Sequence, residues 1–398
     1  MSTTIGTGRA SAETGDVAAE AAVDAARADL DGARPDFAVV FASSVYDPQT
    51  VVRAVRAATD DVTLVGASTS GEFTEAGSGS ESIAVFLVSS DTMQFHAGIG
   101  TGLRADLEGA VESAAGDLPA PDDAYSYRVG LNLHDGLLGR GEEIALLGYN
   151  AVPMPYAGGS AADDMALDET VVFANDRVEH NAVVLAMIES ERPFAQSVGH
   201  GHEPISGGHE ATRASESVVA ELDGRPAIDV WTDAIADRAA HDYDIDVEAL
   251  TSDHDLWSTL LTRFEFGIRT DDDTYKIRWP GLTDSDEGPM TFATAIPEGT
   301  ELYVMDSDPS AQLGAAERVG DAAVADGEGK MSPAGALVFG CVCQSLILGE
   351  QLDDAVERMA ERIDAPLAGM QTYGEVAITD DDMRAYHNTT SSVLLFPE

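Results

Sequence analysis

A strand, a helix and a second strand follow one another between residues 37 and 67, and this unit constrains the fold more than any other stretch of the chain. Phe37 to Phe41 is a short apolar strand. Asp47-Pro48 starts a helix on which Val51, Val52, Val55 and Ala58 form an apolar stripe. Thr63 to Ala67 is the next strand. Strands joined through a helix are placed to pair in parallel, which a tight hairpin cannot achieve.

The rest of the chain keeps mixing the two kinds of element. Val17 to Leu30 reads as a helix in an Ala-, Asp- and Glu-rich start, and Ile83–Val88 and Gln94–Gly100 read as adjacent strands across a Ser-Ser-Asp turn. A helix near Leu103–Ala115, a strand at Arg128–Leu133 and a helix over Gly139–Leu147 follow. Strands are expected at Glu169–Phe173, Ala182–Ile188 and Phe194–Gly199. The turn Leu222-Asp-Gly-Arg-Pro226 marks a domain boundary, with a helix from Ala227 to Ala239 behind it. Further strands are expected at Phe264–Ile268, Tyr275–Arg278, Met290–Ala295, Glu301–Met305 and Ala336–Phe339, and a helix over 310–326. Leu352, Val356, Met359 and Ile363 share one face of a last helix, Leu348–Ile363. The expected fold class is α/β of mixed α+β character. It comprises an extension over 1–35, one mixed domain over 36–224 and a second over 225–398, with no short-period repeat.

Charge narrows the partners. The chain has 398 residues, 71 acidic against 22 basic, and a net charge of −49; only Lys276 and Lys330 are lysines. With 44% hydrophobic residues this is a folded chain, and its acid is spread from end to end. Such a surface suits molar intracellular salt, where the Debye length falls to about 3 Å. Nucleic acid is disfavoured as a partner, since phosphates need facing cations. No apolar run approaches a membrane span and the start lacks a signal-peptide pattern, so the expected location is cytoplasmic. Two cysteines build no disulfide framework.

The last thirty residues hold the densest chemistry. Gly369-Met-Gln-Thr-Tyr-Gly-Glu375 runs a strand into a glycine and a carboxylate, and Tyr386-His-Asn-Thr-Thr390 adds three kinds of hydrogen-bonding side chain. Glu375 is placed to hold a ligand amino group, or else to cap its own loop. His387 and Asn388 offer a donor and acceptors, or form a satisfied strand entry. Arg278 suits a ligand carboxylate, being planar and bidentate, or a plain ion pair. Cys341 ends an apolar strand; it is a nucleophile if a neighbour lowers its pKa, and a packing residue otherwise. Cys343 makes a Cys-x-Cys with it, too few thiols for a cage. His200, His202 and His209 are the densest histidine patch, but no fourth ligand is evident, and neither a metal nor a cofactor is assigned.

These C-terminal residues resemble the C-terminal part of the FIST family, sensory proteins of bacterial and archaeal signal transduction. Gly66-Ala-Ser-Thr-Ser-Gly-Glu72, Asp135-Gly, Gly158-Gly-Ser-Ala-Ala-Asp-Asp164, Leu222-Asp-Gly-Arg-Pro-Ala227, Tyr275-Lys-Ile-Arg278 and Gly335-Ala-Leu-Val-Phe-Gly-Cys341 are similar to further family landmarks, in family order. With the acidic surface, the resemblance points to a haloarchaeal type. It implies a non-catalytic module that binds a small polar ligand, amino acids being the suggested class, and signals in trans to a partner protein. Its ligand residues would be Arg278, Cys341, Tyr373, Glu375, His387 and Asn388. One departure stands out: an arginine usual after the cysteine is absent from Cys341-Val-Cys-Gln-Ser345, leaving Gln344 or Ser345 in its place. The competing expectation is an enzyme, with Cys341 as nucleophile and His387 or Glu375 as base in acyl transfer or hydrolysis.

Overall fold

The computed structural model describes residues 3–245, 247, 254–270, 274–283, 288–379 and 383–398. The stretch expected as an extension holds a strand, β1 (Thr3–Ala10), and the expected helix, α1 (Gly15–Ala28); β2 (Phe37–Ser43), α2 (Pro48–Ala58) and β3 (Thr63–Thr69) follow. Asp47 caps α2 by accepting from Thr50 N at 2.9 Å, and Pro48 fills the first turn where no N–H is needed. β2 and β3 pair in parallel, Phe37 opposite Thr63. The short hairpin of β4 (Glu72–Thr74) and β5 (Gly77–Gly79) then leaves this sheet. β6 (Ile83–Ser90) returns to it, antiparallel to β1 and β2.

The same run of elements recurs twice. The second pass is β7 (Met93–Thr101), α3 (Leu107–Gly116), β8 (Tyr127–His134), α4 (Gly141–Ala151), β9 (Tyr156–Ser160), the hairpin β10 (Val171–Ala174) and β11 (Arg177–His180), and β12 (Ala182–Ser190). The third pass opens with β13 (Ala195–Gly199) and is then interrupted. The interruption holds β14 (Glu203–Ser215), β15 (Val218–Leu222), β16 (Arg225–Pro226), α5 (Ala227–Tyr243), α6 (His254–Arg263), β17 (Phe266–Arg269), β18 (Tyr275–Arg278), β19 (Met290–Thr291) and β20 (Glu301–Asp306). The pass resumes with α7 (Pro309–Gly327), β21 (Pro333–Cys341), α8 (Val342–Leu348), α9 (Leu352–Ile363) and β22 (Leu367–Thr372). It closes with the hairpin β23 (Glu375–Ile378) and β24 (Tyr386–His387), and β25 (Ser391–Pro397).

Three sheets of one design result: β1-β6-β2-β3-β10-β11, β7-β12-β8-β9-β23-β24 and β13-β25-β21-β22-β4-β5. The hairpins are exchanged cyclically, since each pass lends its own to the sheet of another. Consecutive strands also part company: β6 and β7 do not pair with each other, as their short turn suggests, because β7 lies on β12 in the second sheet. The fold is therefore mixed α+β, as expected, but its two sequence halves interleave. The Leu222–Arg225 turn lies inside the inserted sheet, whose order is β16-β15-β14-β20-β17-β18.

Alternation in the strands explains the layers. Phe37, Val39 and Phe41 of β2 face a core shared by all three sheets, while Ala38, Val40 and Ala42 face α1 and α2. Burial on both faces makes β2 read as an unbroken apolar run. The pair α3 and α4 covers the second sheet, and α7 and α9 the third. Aromatic pairs stitch the sheets together: Phe37 stacks on Phe95 at 4.7 Å and Phe41 meets Phe339 edge-on at 5.9 Å. The insertion has its own core around Trp231 and Trp257. Among the described residues no helix is long and apolar enough to cross a membrane.

Candidate ligand cleft

Two turns of the third pass form the floor of the site. β21 ends at Cys341, whose extended backbone (φ −66°, ψ 139°) turns directly into α8. Its N–H bonds to Thr390 O at 3.0 Å, and Ser43 and Asp135 make the same bond to Ser82 and Ala182 in the other passes. The second turn, Tyr373-Gly374, carries the chain across to β23. Here the three passes meet in a ring of backbone bonds: Ser70 N to Gln371 O at 3.1 Å, Tyr373 N to Ser160 O at 3.3 Å, and Ala162 N to Ser68 O at 2.9 Å. Gly374 has φ +149°, and a Cβ there would stand 2.1 Å from the Tyr386 hydroxyl, so a side chain is excluded.

A cleft of about 750 Å³ opens between these turns and the inserted sheet. Cys341, Cys343, Tyr373 and Asn388 line its floor, and Trp279, Leu282, Phe292 and Ala293 form the wall from the insertion. The opposite wall comes from the second pass: Leu137 and Leu138 after β8, and Met165 and Leu167 after β9. Arg140 and Glu143 close the rim as an ion pair, Nε to Oε1 at 2.8 Å. The loop bearing Met165 and Leu167 is held from below. Asp163 accepts from the N–H groups of Leu167, Asp168 and Glu169 at 3.0, 2.6 and 2.9 Å, and from the Tyr373 hydroxyl at 2.5 Å. That tether supports left-handed backbone at Asp164, Met165 and Leu167 (φ 52°, 64° and 53°), which non-glycine residues adopt only under local constraint.

Of the residues expected to bind ligand, Cys341, Tyr373 and Asn388 line the cleft; Glu375, His387 and Arg278 do not. Glu375 is fully buried beneath it. It accepts from Thr372 Oγ1 at 2.6 Å, Thr390 Oγ1 at 2.7 Å and Thr390 N at 3.1 Å. Burial outweighs these bonds and pushes its carboxyl up to about 8. His387 is buried with Nε2 unpartnered among the described residues; burial first, then Lys276 and Arg278, hold it neutral. Arg278 is turned away, its guanidinium on Glu142 Oε2 at 2.7 Å and on the carbonyls of Ile277 and Tyr386 at 3.1 and 3.3 Å. Lys276 meets the other Glu142 oxygen at 2.7 Å, so this cluster docks the insertion on α4.

The cysteines are buried and free, and burial pushes the Cys341 thiol well above its ordinary value, with Cys343 and Glu375 acting the same way. Gln344 and Ser345 face away from the cleft, bonded to Gln312 and Ser391, and to Gln371. The histidine patch divides: His200 and His202 stay together, ring centroids 5.8 Å apart, with His200 on Tyr275 O at 2.8 Å, while His209 is on Asp223 at 2.8 Å. Among the described residues no three His, Cys, Asp or Glu side chains are placed to share a metal.

Sequence reasoning missed the walls and a second buried layer. Thr389, held at φ +50°, donates to the fully buried Glu265 at 2.6 Å, and His202 lies 3.9 Å from the same oxygen with both ring nitrogens unpartnered among the described residues. The signals were close by: Leu137 and Leu138 follow Asp135-Gly136, Met165 follows the double-glycine segment, and Trp279 follows Tyr275–Arg278.

An α+β core of three exchanged sheets, with an inserted sheet closing a cleft, is the frame on which these residues sit. The chain belongs to the FIST family, a family of signal-transduction sensory modules: the FIST N domain matches residues 36–225 and the FIST C domain residues 227–378. An uncharacterized protein of Methanocaldococcus jannaschii is 26% identical over 166 residues, 40% of this chain and 31% of the relative, so the match spans about a third of that protein. A crystal structure of a cyanuric acid hydrolase from A. caulinodans aligns over 100% of both chains at 9% identity, with a TM-score of 0.30.

Proposed function

We propose that this chain is a sensory module, not an enzyme, and that a small molecule enters the cleft above Cys341, Tyr373 and Asn388. The observation that carries the reading is the origin of the walls. They come from the insertion and from loops of the second pass, while the floor belongs to the third. An occupant therefore contacts parts of the fold that close on one another and favours one arrangement of them, which a separate partner protein reads in trans. Arg278, Glu375 and His387 support the floor from behind.

The family resemblance favours small polar metabolites, amino acids among them, as ligands. The acidic, lysine-poor composition favours a cytoplasm of molar salt, as in a haloarchaeon, and neither nucleic acid nor membrane as partner. The rival reading is acyl transfer or hydrolysis by Cys341 with His387 or Glu375 as base, and it rests on the thiol's place at a strand-to-helix turn on the cleft floor. Against it, a nucleophile needs an activating base, and Glu375 is engaged by Thr372 and Thr390.

Thermal unfolding in molar KCl, run against amino acids, peptides, nucleotides and organic acids, tests the sensory reading. A ligand at a hundredfold excess over its Kd adds about 2.7 kcal/mol of stability. A selective rise in Tm is the expected result; no shift from any compound would count against it.

A further inference from the structure

Apolar side chains exposed singly need no explanation, whereas several around one opening mark a contact surface. Met165, Leu167 and Leu282 stand 39%, 48% and 40% exposed, and all three line the cleft at its mouth. They come from opposite walls, the first two from the loop after β9 and the third from the insertion. Met165 and Leu167 are also held in place. Both have left-handed backbone, and the Tyr373 hydroxyl, itself bonded to Asp163, accepts from Met165 N at 3.0 Å. The fold thus bears backbone strain to keep two apolar side chains at an opening, where covering them would be favourable.

From the mouth the lining stays apolar toward the floor, through Leu138, Trp279 and Val342. The charged groups of the lining remain outside: Arg140 and Glu143 are exposed and bonded to each other, and Glu216 is exposed. A charge carried inward would therefore lose its water without gaining a counter-ion. The space itself, about 750 Å³, is that of small-molecule sites, which run to about 300–1,000 Å³. At one end the walls nearly meet, where a Cβ on Gly139 would stand 3.7 Å from Ala293 O. Such confinement suits a small molecule better than a partner's helix, about 10 Å across.

We infer that the ligand is a small molecule with an apolar body that fills the cleft to its mouth, where Met165 and Leu167 cover it from one side and Leu282 from the other. This rests on the cleft being the ligand site. Any polar group of the ligand stays at the rim, in water beside Arg140, Glu143 and Glu216. Among amino acids the cleft then favours large apolar side chains and rejects small or charged ones.

Titration calorimetry of the full chain in molar KCl tests the class with the straight-chain alcohols from 1-butanol to 1-octanol. Each added methylene is expected to tighten binding about fourfold. Met165→Gln combined with Leu167→Gln alters only exposed side chains, should leave Tm unchanged, and should weaken 1-octanol about tenfold. Leu138→Trp, or Ala293→Phe should the first not fold, fills the cleft and should abolish binding. Affinity that does not rise along the series, or no binding by any alcohol, overturns the apolar class; the cleft is then judged by the metabolite panel. A rise that persists in both filling variants overturns the cleft and the class together. A rise that the double glutamine variant leaves untouched removes Met165 and Leu167 from the site and overturns the inference as stated. So would a dimer seen by light scattering that this variant abolishes, since the mouth would then be covered by a second copy.

Discussion

Glu72 and Glu375 occupy the same position in two passes of the fold. Each begins the strand that leaves its own sheet, and each accepts from the threonine three residues before it, Thr69 or Thr372. Each also accepts from a hydroxyl just ahead of the returning strand: Ser82 at 2.6 Å for Glu72, Thr390 at 2.7 Å for Glu375. Through the strand registers the second pass places Ala161, Val172 and Ala182 at these three positions, so the polar clamp is replaced there as a set. A set that changes together marks a device that holds the crossover.

Both carboxyls are fully buried, and desolvation raises Glu72 to about 7 and Glu375 to about 8 from 4.5. A raised carboxyl keeps its proton in the folded chain at a pH where the unfolded chain has released it. Its contribution to stability is therefore complete below about pH 4.5 and is lost as pH climbs through 7 to 8. Glu375→Gln should remove that slope, becoming more stable relative to the parent by roughly a few kcal/mol between pH 5 and 9. Urea unfolding across this range reads the difference between the two proteins, which cancels the general repulsion of the acidic surface. Parallel curves for parent and variant would refute it.

The insertion is fastened to the core by Glu142, which meets both Lys276 and Arg278 at 2.7 Å. Arg278 is 2% exposed, so Glu142→Gln leaves its guanidinium buried without a carboxylate. Glu142 is itself 36% exposed and Arg278 keeps two carbonyl partners, so the loss is expected at about 1–3 kcal/mol, that of a charge-assisted hydrogen bond. Hydrogen exchange should show β18 and β24 losing protection before the strands of the shared core. Uniform loss across all sheets would mean that the insertion is not held by this contact.

Much of the secondary structure was legible because local patterning decides it. Asp47-Pro48 opens α2, and Leu352, Val356, Met359 and Ile363 give α9 its buried face. The threefold plan was not, although Thr69-Ser-Gly-Glu72 and Thr372-Tyr-Gly-Glu375 share a pattern, because the second pass reads Ala161-Ala-Asp-Asp164 and so hides the repeat. Strand exchange is equally silent: whether β7 pairs with β6 or with β12 depends on contacts far along the chain. Cys341, Tyr373 and Asn388, which the family resemblance singles out, come together on the cleft floor. For Arg278 the sequence left a ligand carboxylate and an ion pair open, because its counter-ion on another element, Glu142, cannot be seen from the sequence around it.

Gly71 and Gly374 are equivalent glycines with unequal tolerance. A Cβ at Gly71 meets the end of the Gln371 side chain at 2.9 Å, which can move at the cost of its bond from Ser345 Oγ at 3.0 Å. At Gly374 it meets the Tyr386 hydroxyl at 2.1 Å, and that ring is fixed by Ser160 at 2.7 Å and by Tyr373 O at 3.2 Å. Gly374→Ala is expected to cost about 3 kcal/mol and Gly71→Ala about 1 kcal/mol. Denaturant midpoints of the two variants check the order; equal costs would show that Tyr386 is not rigid.

The thiol of Cys341 decides between sensing and catalysis, because the thiolate is the reactive form and its fraction follows the pKa. Burial raises this thiol, and neither neighbour that shifts it, Cys343 or Glu375, supplies the positive charge that would lower it. Iodoacetamide at pH 8 should label native Cys341 at least about a hundredfold more slowly than the same residue in denaturant. Cys341→Ser should leave any thermal shift by a bound compound in place, since the thiol is buried in the cleft floor and the apolar walls carry the contact. Rapid labelling of the native chain that a bound compound suppresses would reverse the assignment. It would mean that a base reaches Cys341 in solution, and the cleft would then be an active site for acyl transfer or hydrolysis.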